Sequence, residues 1–166
     1  MQSYLNNTPQ SLGLLFEDEV HELLVQTKLP VLREKDIVKK YGQNVKGIDH
    51  LLFHQDYIIC IQDKRTSSSP VLSVVNHFIQ CVESISWKEN KKCIGIYLTK
   101  QGLTGPARTA ISDTNSRNKN QFIELHDDNL SRLKYKLLDL FYSNHIYIYE
   151  SDDSLYMLPA RFEGFT

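Results

Sequence analysis

Two segments of this chain are apolar on both faces of an extended strand, and they constrain the fold more than any other feature. Residues 57–62 read Tyr-Ile-Ile-Cys-Ile-Gln, and residues 93–98 read Cys-Ile-Gly-Ile-Tyr-Leu. Strands without polar alternation belong in the middle of a sheet that helices cover on both sides. Between them, Val74, Phe78 and Val82 recur at helical spacing. The chain is therefore expected to form a sheet with helices packed on it.

The rest of the chain supplies further elements in an order typical of the α/β class. The patterns predict a helix from Thr8-Pro9 to about Thr27 and strands at 31–33, 48–53, 57–64, 92–99 and 122–125. They also predict a short helix that begins near 105, a longer helix that begins near 130, and a closing hairpin of 146–150 and 155–158. Either Asp128 or Asn129 can cap the helix near 130. We expect a mixed central sheet flanked by helices on both faces. A single domain over 1–166, with a core at about 8–142 and the hairpin at 146–158, suits this length.

Composition excludes several classes of protein. No apolar run approaches about 18 residues, and the polar start Met-Gln-Ser-Tyr lacks a basic segment, so neither a membrane span nor a secretory signal is predicted. Cys60, Cys81 and Cys93 are odd in number and contain no CxxC spacing. This pattern favours reduced, buried thiols in an intracellular protein over disulfides or a zinc site.

The charge distribution leaves two interpretations open. The net charge is −1, but residues 31–138 carry 17 basic against 11 acidic residues. Such an excess is typical of ordinary solvated helix and loop surfaces, and equally of a surface that faces phosphates.

The segment from Gly47 to Arg65 carries the most informative polar residues. If Gln55 and Asp56 form a two-residue turn, Asp49 lies opposite Gln62 in an antiparallel hairpin, and Gly47 lies opposite Lys64. Asp49, Gln62 and Lys64 would then converge on one face at one end of the hairpin, with the side chain of Asp63 on the other face. A three-residue turn instead pairs Asp49 with Ile61.

A carboxylate and a lysine at one end of a hairpin suit phosphoryl chemistry. A carboxylate binds a hard cation such as Mg²⁺, and the backbone carbonyl of Asp63 can add an oxygen ligand. The ammonium group of Lys64 can stabilise charge on phosphorus or help to activate a water molecule. The alternative is that these charged residues are simply solvated at the end of an apolar hairpin.

The order and spacing of these motifs resemble the PD-(D/E)XK nuclease superfamily, whose signature is an Asp, a short hydrophobic hairpin and then acid-x-Lys. The helix that begins Gly13-Leu-Leu-Phe-Glu17, followed by 30–33, is similar to the opening of Holliday-junction resolvases. The Gln62-Asp-Lys64 form, and the segment 122–130, resemble Mrr-type restriction nucleases. The resemblance implies a restriction-endonuclease-like fold and an endonuclease that hydrolyses DNA phosphodiester bonds with Mg²⁺ or Mn²⁺.

The resemblance also implies roles for individual residues. Glu17, Asp49, Gln62 and Lys64 become the catalytic set, with Glu17, Asp49, Gln62 and the Asp63 carbonyl around the metal. Glu19 is a rival for the role of Glu17. Because Gln62 replaces an acid of the family signature, an inactive, DNA-binding or structural member of the fold is the alternative.

Five basic residues near these motifs are candidate DNA contacts. They are Arg33, Lys46, Arg65, Lys100 and Arg108. Each is also explained as a solvated surface charge. Since one chain offers one site, cutting both strands of duplex or branched DNA implies a homodimer or a higher homo-oligomer.

Overall fold

The fold is built on a five-stranded mixed sheet, seen in a computed structural model that describes residues 9–66 and 68–149. The elements in chain order are α1 (Pro9–Val25), β1 (Val31–Arg33), α2 (Glu34–Tyr41), a 3-10 helix (Gln43–Val45), β2 (His50–Phe53), β3 (Tyr57–Lys64), α3 (Leu72–Glu89), β4 (Lys92–Thr99), α4 (Gly105–Arg117), β5 (Gln121–His126) and α5 (Leu130–Ser143). Within these described ranges, no helix is long and apolar enough to span a membrane.

The five strands lie side by side in chain order. β1, β2 and β3 pair antiparallel, whereas β3, β4 and β5 run parallel to one another and are joined through α3 and α4. One edge of the sheet therefore collects the ends of four strands, at Arg33, Lys64, Thr99 and His126, and the start of β2 at His50. We call this edge the carboxyl edge.

Two hydrophobic cores cover the two faces of the sheet. Ile59 and Ile61 of β3 face a core that α1 and α5 complete. Ile58 and Cys60 face the opposite core, which is completed by α2, α3 and α4. The prediction of an α/β architecture, with a mixed sheet flanked by helices on both faces, is confirmed.

The hairpin of β2 and β3 has the register that a two-residue turn requires. Phe53 lies opposite Ile58, and His50 lies opposite Ile61. The N–H of His54 donates to the carbonyl of Tyr57 at 3.0 Å and closes the turn. The first of the two predicted registers is therefore the correct one.

The elements predicted from the sequence include no helix between the strands at 31–33 and 48–53, but the chain forms α2 there. Ile37 and Tyr41 are four residues apart and are buried on the sheet. Acidic residues occupy the first turn and basic residues the last turn, which complements the helix dipole. Only two apolar residues mark the buried face, so the pattern is faint in the sequence.

The cap of α5 resolves the choice between Asp128 and Asn129. The side-chain oxygen of Asn129 accepts a hydrogen bond from the N–H of Arg132 at 3.0 Å. Asp128 instead pairs with the guanidinium of Arg132 at 3.1 Å, in an exposed position.

We expect Asn129→Ala to lower the free energy of unfolding by about 1 kcal/mol, because a helix N–H loses its acceptor. Asp128→Ala should cost less than about 0.5 kcal/mol, as is usual for an exposed ion pair. Urea unfolding of both variants measures the difference. Equal losses would show that the cap hydrogen bond is not what Asn129 contributes.

The three cysteines are buried and free, as predicted. They lie in the same core, with Cys60 and Cys93 on adjacent strands and Cys81 on α3. Burial raises the pKa of the Cys81 thiol to about 11. Burial also raises the pKa of Cys60, so the thiols of Cys60 and Cys81 are protonated and unreactive near neutral pH.

The chain end is described only to residue 149. Ile146 and Ile148 are buried against α1 and α5, and the N–H of Tyr149 donates to the carbonyl of Gln26 at 2.9 Å. The described part of the predicted hairpin, 146–149, contains no regular strand. Its partner segment, 155–158, and the predicted cap Thr8 lie outside the described residues.

Candidate metal centre

Three carboxyl groups meet at the carboxyl edge of the sheet. Glu17 projects from α1, Asp49 directly precedes β2, and Asp63 is the last but one residue of β3. One oxygen of each group lies within 4.8 Å of an oxygen of the other two. We call Glu17, Asp49 and Asp63 the acidic cluster. Its spacing suits a hard divalent cation.

The choice between Glu17 and Glu19 on α1 is also resolved by the geometry. Glu17 belongs to the acidic cluster. Glu19 lies 3.8 Å from the ammonium of Lys134 on α5. The structure therefore places Glu19 in a surface ion pair and Glu17 at the site.

Asp49 reaches the cluster because the chain bulges where β2 begins. The N–H of Asp49 donates to the carbonyl of Ile61 at 2.9 Å, although Ile61 is already the partner of His50. Ile48 and Leu51, three residues apart, also pack in the same core, which a straight strand does not allow. Asp49 and His50 therefore both lie opposite Ile61, and two residues opposite one define a β-bulge. It carries the carboxylate of Asp49 to the backbone N–H of Asp63, at 2.9 Å.

The role expected of Asp63 needs a correction. We predicted only its backbone carbonyl as a ligand, with its side chain on the face away from Gln62. The side chain does lie on that other face, but α1 and the bulge bring Glu17 and Asp49 to it. The carboxylate of Asp63, rather than the amide of Gln62, is thus the third acidic-cluster group.

A buried histidine contacts the acidic cluster from inside the sheet. The Nε2 atom of His50 lies 3.2 Å from Oδ2 of Asp63, and both side chains are fully buried. The ring of His21, on α1, stacks against that of His50 with centroids 6.3 Å apart. Burial lowers the pKa of His50 to about 4, so its ring is neutral near pH 7.

The acidic cluster holds more negative charge than its surroundings compensate. Burial raises the pKa of Asp49 to about 8, and its hydrogen bond to Asp63 adds to the effect. Burial also raises the pKa of Asp63 to about 6. The pKa of Glu17 is raised by burial and then by Asp49. Without a cation, the cluster is therefore expected to retain a proton near neutral pH.

A fourth carboxyl group, from Glu34, adjoins the cluster at the start of α2. Burial raises the pKa of Glu34, and the charge of Asp49 and a hydrogen bond with it raise that pKa further. A depression of about 390 Å³ opens to solvent here; it is lined by Glu17, Arg33, Glu34, Lys35, Asp36 and Asp49. We call it the acidic depression. It gives the carboxylates of Glu17 and Asp49 access to solvent.

The structure does not place Gln62 and Lys64 in the acidic depression with Asp49. They line a neighbouring depression of about 510 Å³, whose lining is Glu34, Lys46, Gly47, Gln62, Lys64, Ser73, Val74 and His77. We call it the lysine depression. Glu34 lines both, so the two depressions adjoin. The side-chain oxygen of Gln62 is buried there and has no hydrogen-bond partner among the described residues.

The five candidate DNA contacts differ in how strongly they are held. Arg33 pairs with Asp18 at 2.8 Å, and Arg108 forms two 2.8 Å hydrogen bonds with Glu124. Arg65 donates to the carbonyl of Asp128 and stacks on the ring of Phe16.

Of the other two, Lys46 lines the lysine depression. Lys100 follows β4 directly, at the carboxyl edge. Arg33 and Lys46 are therefore the two of the five that line the candidate site.

Sequence reasoning missed the side chains of Glu34, His50 and Asp63. Glu34 directly follows the predicted strand 31–33, and this position at the end of a strand is the signal that could have placed it at the carboxyl edge. Strand alternation puts the side chain of His50 on the face opposite that of Asp49, and a polar residue in this otherwise apolar strand is the available signal. Nothing in the spacing alone indicates that Asp63 and Asp49 meet.

The donor set of the acidic cluster fits Mg²⁺ or Mn²⁺. It offers only carboxylate oxygens, which these hard cations prefer, and no sulfur ligand. A second observation agrees: Oδ1 of Asp63 is buried, and none of the described residues outside the acidic cluster donates a hydrogen bond to it. No protein-family model matches the chain, and no curated protein or solved structure matches it.

Proposed function

We propose that this protein is a Mg²⁺- or Mn²⁺-dependent endonuclease that hydrolyses DNA phosphodiester bonds. The observation that carries the proposal is the meeting of Glu17, Asp49 and Asp63 within 4.8 Å, next to a depression lined by two lysines. The order of Glu17, Asp49 and Lys64 along the chain also resembles PD-(D/E)XK nucleases, in which carboxylates and a lysine both contribute to catalysis.

Glu17, Asp49 and Asp63 are the residues that would hold the cation. When bound, the cation would neutralise negative charge that develops on the phosphoryl oxygens. The carboxylates themselves are held before any cation arrives: Asp49 accepts the backbone N–H of Asp63, and Asp63 contacts His50. A preformed ligand set of this kind binds at little cost in reorganisation.

The lysine depression suits the DNA backbone. Lys46 and Lys64 carry positive charge into it, and the first turn of α3, at Ser73 and Val74, forms its wall. The ammonium of Lys64 would stabilise the charged transition state or orient the attacking water. Among the described residues, no carboxylate lies within 4 Å of Lys64 in an ion pair, so its charge is available to a phosphate.

A protein of this kind acts inside the cell on duplex or branched DNA. Cutting both strands from one site per chain requires two copies, so the proposal includes a homodimer or higher homo-oligomer. The alternative is a member of the same fold that binds DNA without cutting it. Gln62, which stands where the PD-(D/E)XK signature has an acid, is the residue that favours this alternative.

The proposal is tested with nuclease assays on linear, supercoiled and branched DNA. The wild-type protein should cleave with Mg²⁺ and stop with EDTA, and Lys64→Ala should lower the rate roughly 10²- to 10³-fold. Lys92→Ala is the matched control, because Lys92 is exposed at the opposite end of the neighbouring strand β4. It should cleave at the wild-type rate.

A second pair of variants tests the helix carboxylate. Glu17→Gln should lose cleavage, whereas Glu19→Gln, two residues away, should retain it. Cleavage that persists in EDTA or in Lys64→Ala would contradict the proposal. DNA binding that weakens steeply with salt, without any cleavage, would instead support the non-cutting alternative.

A further inference from the structure

His50 belongs to none of the roles discussed so far, yet it makes the closest contact to the acidic cluster from the interior. Its Nε2 atom lies 3.2 Å from Oδ2 of Asp63. Neither side chain is exposed to solvent. A buried contact between an imidazole and a carboxylate is too costly to form without a hydrogen bond.

The contact assigns the tautomer of His50. A carboxylate only accepts hydrogen bonds, so the donor is an N–H at Nε2 of the ring. The other ring nitrogen, Nδ1, is buried and has no partner among the described residues. A neutral ring with its single proton on Nε2 fits both observations.

This hydrogen bond decides which oxygen of Asp63 faces the site. Oδ2 is held by His50, whereas no hydrogen-bond donor among the described residues outside the acidic cluster reaches the buried Oδ1. A buried carboxylate oxygen without such a donor points to a ligand that supplies positive charge. The same carboxylate is the one that lies within 4.8 Å of Glu17 and Asp49.

Two neighbours hold the His50 ring in place. The ring of His21 stacks on it at 6.3 Å, with an angle of 19° between the planes. His21 is on α1, four residues after Glu17, so one helix supplies both a cluster carboxylate and the support for His50. The pairing of His50 with Ile61 in the sheet fixes its backbone.

We propose that His50 is a positioning residue: it fixes the Asp63 carboxylate so that Oδ1 is presented for cation binding. This inference rests on the proposed metal-dependent function and extends it to a residue that never touches substrate. Mutating a group that supports a metal ligand in this way usually lowers the metal affinity by roughly 10- to 100-fold.

The test measures Mn²⁺ binding by titration calorimetry, without DNA. His50→Leu keeps the approximate volume but removes the donor, and its Kd should rise roughly 10- to 100-fold. His50→Gln can place an amide N–H near the position of Nε2, and its Kd should stay within about threefold of the wild type. His54→Gln, at the exposed hairpin turn, is the matched control and should bind as the wild type does.

A double-mutant cycle separates positioning from a general loss of structure. If His50 acts through Asp63, His50→Leu should have no further effect on Mn²⁺ affinity in an Asp63→Asn background. Equal losses in both backgrounds would overturn the proposal. So would a His50→Gln variant that is as impaired as His50→Leu while melting at the wild-type temperature.

One measurement on the unaltered protein keeps the proposal testable if His50→Leu does not fold. Nitrogen-15 NMR should find the His50 proton on Nε2, both with and without Mg²⁺; a proton on Nδ1 would overturn the assignment. If the wild type binds no Mn²⁺, both the proposed function and this inference are wrong. If it binds Mn²⁺ and His50→Leu binds equally well, only the inference is wrong.

Discussion

Asp63→Asn should weaken Mn²⁺ binding by about 100-fold and lower the rate of Mg²⁺-dependent DNA cleavage roughly 1000-fold. That factor corresponds to a loss of about 4 kcal/mol of transition-state stabilisation. The amide keeps the shape of the side chain but removes the charge of a group that lies within 4.8 Å of Glu17 and Asp49. Gln62→Ala should lower the rate less than about tenfold, because Gln62 lines the lysine depression instead.

Comparing variants at positions 62 and 63 tests which of these two neighbouring residues binds the cation. In the PD-(D/E)XK signature, the acid before the x-Lys pair corresponds to Gln62. In the structure, the carboxylate that joins Glu17 and Asp49 belongs to Asp63. Calorimetry with Mn²⁺ and plasmid nicking measure both variants, and Asp113→Asn, an exposed acid on α4, is the control. A Gln62→Ala protein that loses Mn²⁺ binding, beside an Asp63→Asn protein that keeps it, would reverse the assignment.

The apparent Kd for Mn²⁺ should fall about 15-fold between pH 6.5 and pH 8. Asp49 keeps its proton in the folded protein up to about pH 8. A cation must displace that proton, so each pH unit is worth about tenfold in affinity when one proton is released. Calorimetric titrations at several pH values give the dependence of the Kd on pH. Repeating them in buffers of different ionisation enthalpy gives the number of protons released.

The stability of the cation-free protein should fall over the same pH range, by roughly 1 kcal/mol per pH unit. The carboxyl of Asp49 has a pKa near 3.8 when unfolded and about 8 when folded, so unfolding releases a proton in this range. Release of a proton on unfolding means that a rising pH favours the unfolded state. His50 acts in the opposite direction, but only between about pH 4 and 6.5.

Urea unfolding in EDTA at pH 6.5 to 8 measures this slope. Asp49→Asn should flatten it, and Asp113→Asn should leave it unchanged. A slope that is the same in the wild type and in Asp49→Asn would mean that Asp49 is ionised throughout the range.

The parts of the fold that the sequence predicts best are those that depend on local pattern. The bounds 57–64 and 92–99 are correct because these segments are short, apolar on both faces and rich in isoleucine, which favours strands over helices. The register of the hairpin follows from its turn, so it was one of two alternatives. The cap of α5 was likewise one of two, since Asp128 and Asn129 are equally good caps in isolation.

The site was harder to predict because it depends on contacts between distant segments. The predicted residues Glu17 and Asp49 do lie together in the acidic cluster, but the bulge before β2 has no sequence signal of its own. Without it, simple alternation places Asp49 with Gln62 and Lys64. The carboxylate of Asp63 enters the cluster only because α1 packs on that face of the sheet, which is a property of tertiary structure.

The bulge places two side chains that are two residues apart in opposite layers of the molecule, since Ile48 packs on the α3 side and His50 on the α1 side. Without a bulge, side chains two residues apart share a face, so a straight chain of the same length would put Ile48 and His50 in the same layer. The number of residues entering β2 therefore matters as much as their identity. A library that redesigns this protein should therefore keep Asp49 and His50 and avoid insertions and deletions at the entry to β2.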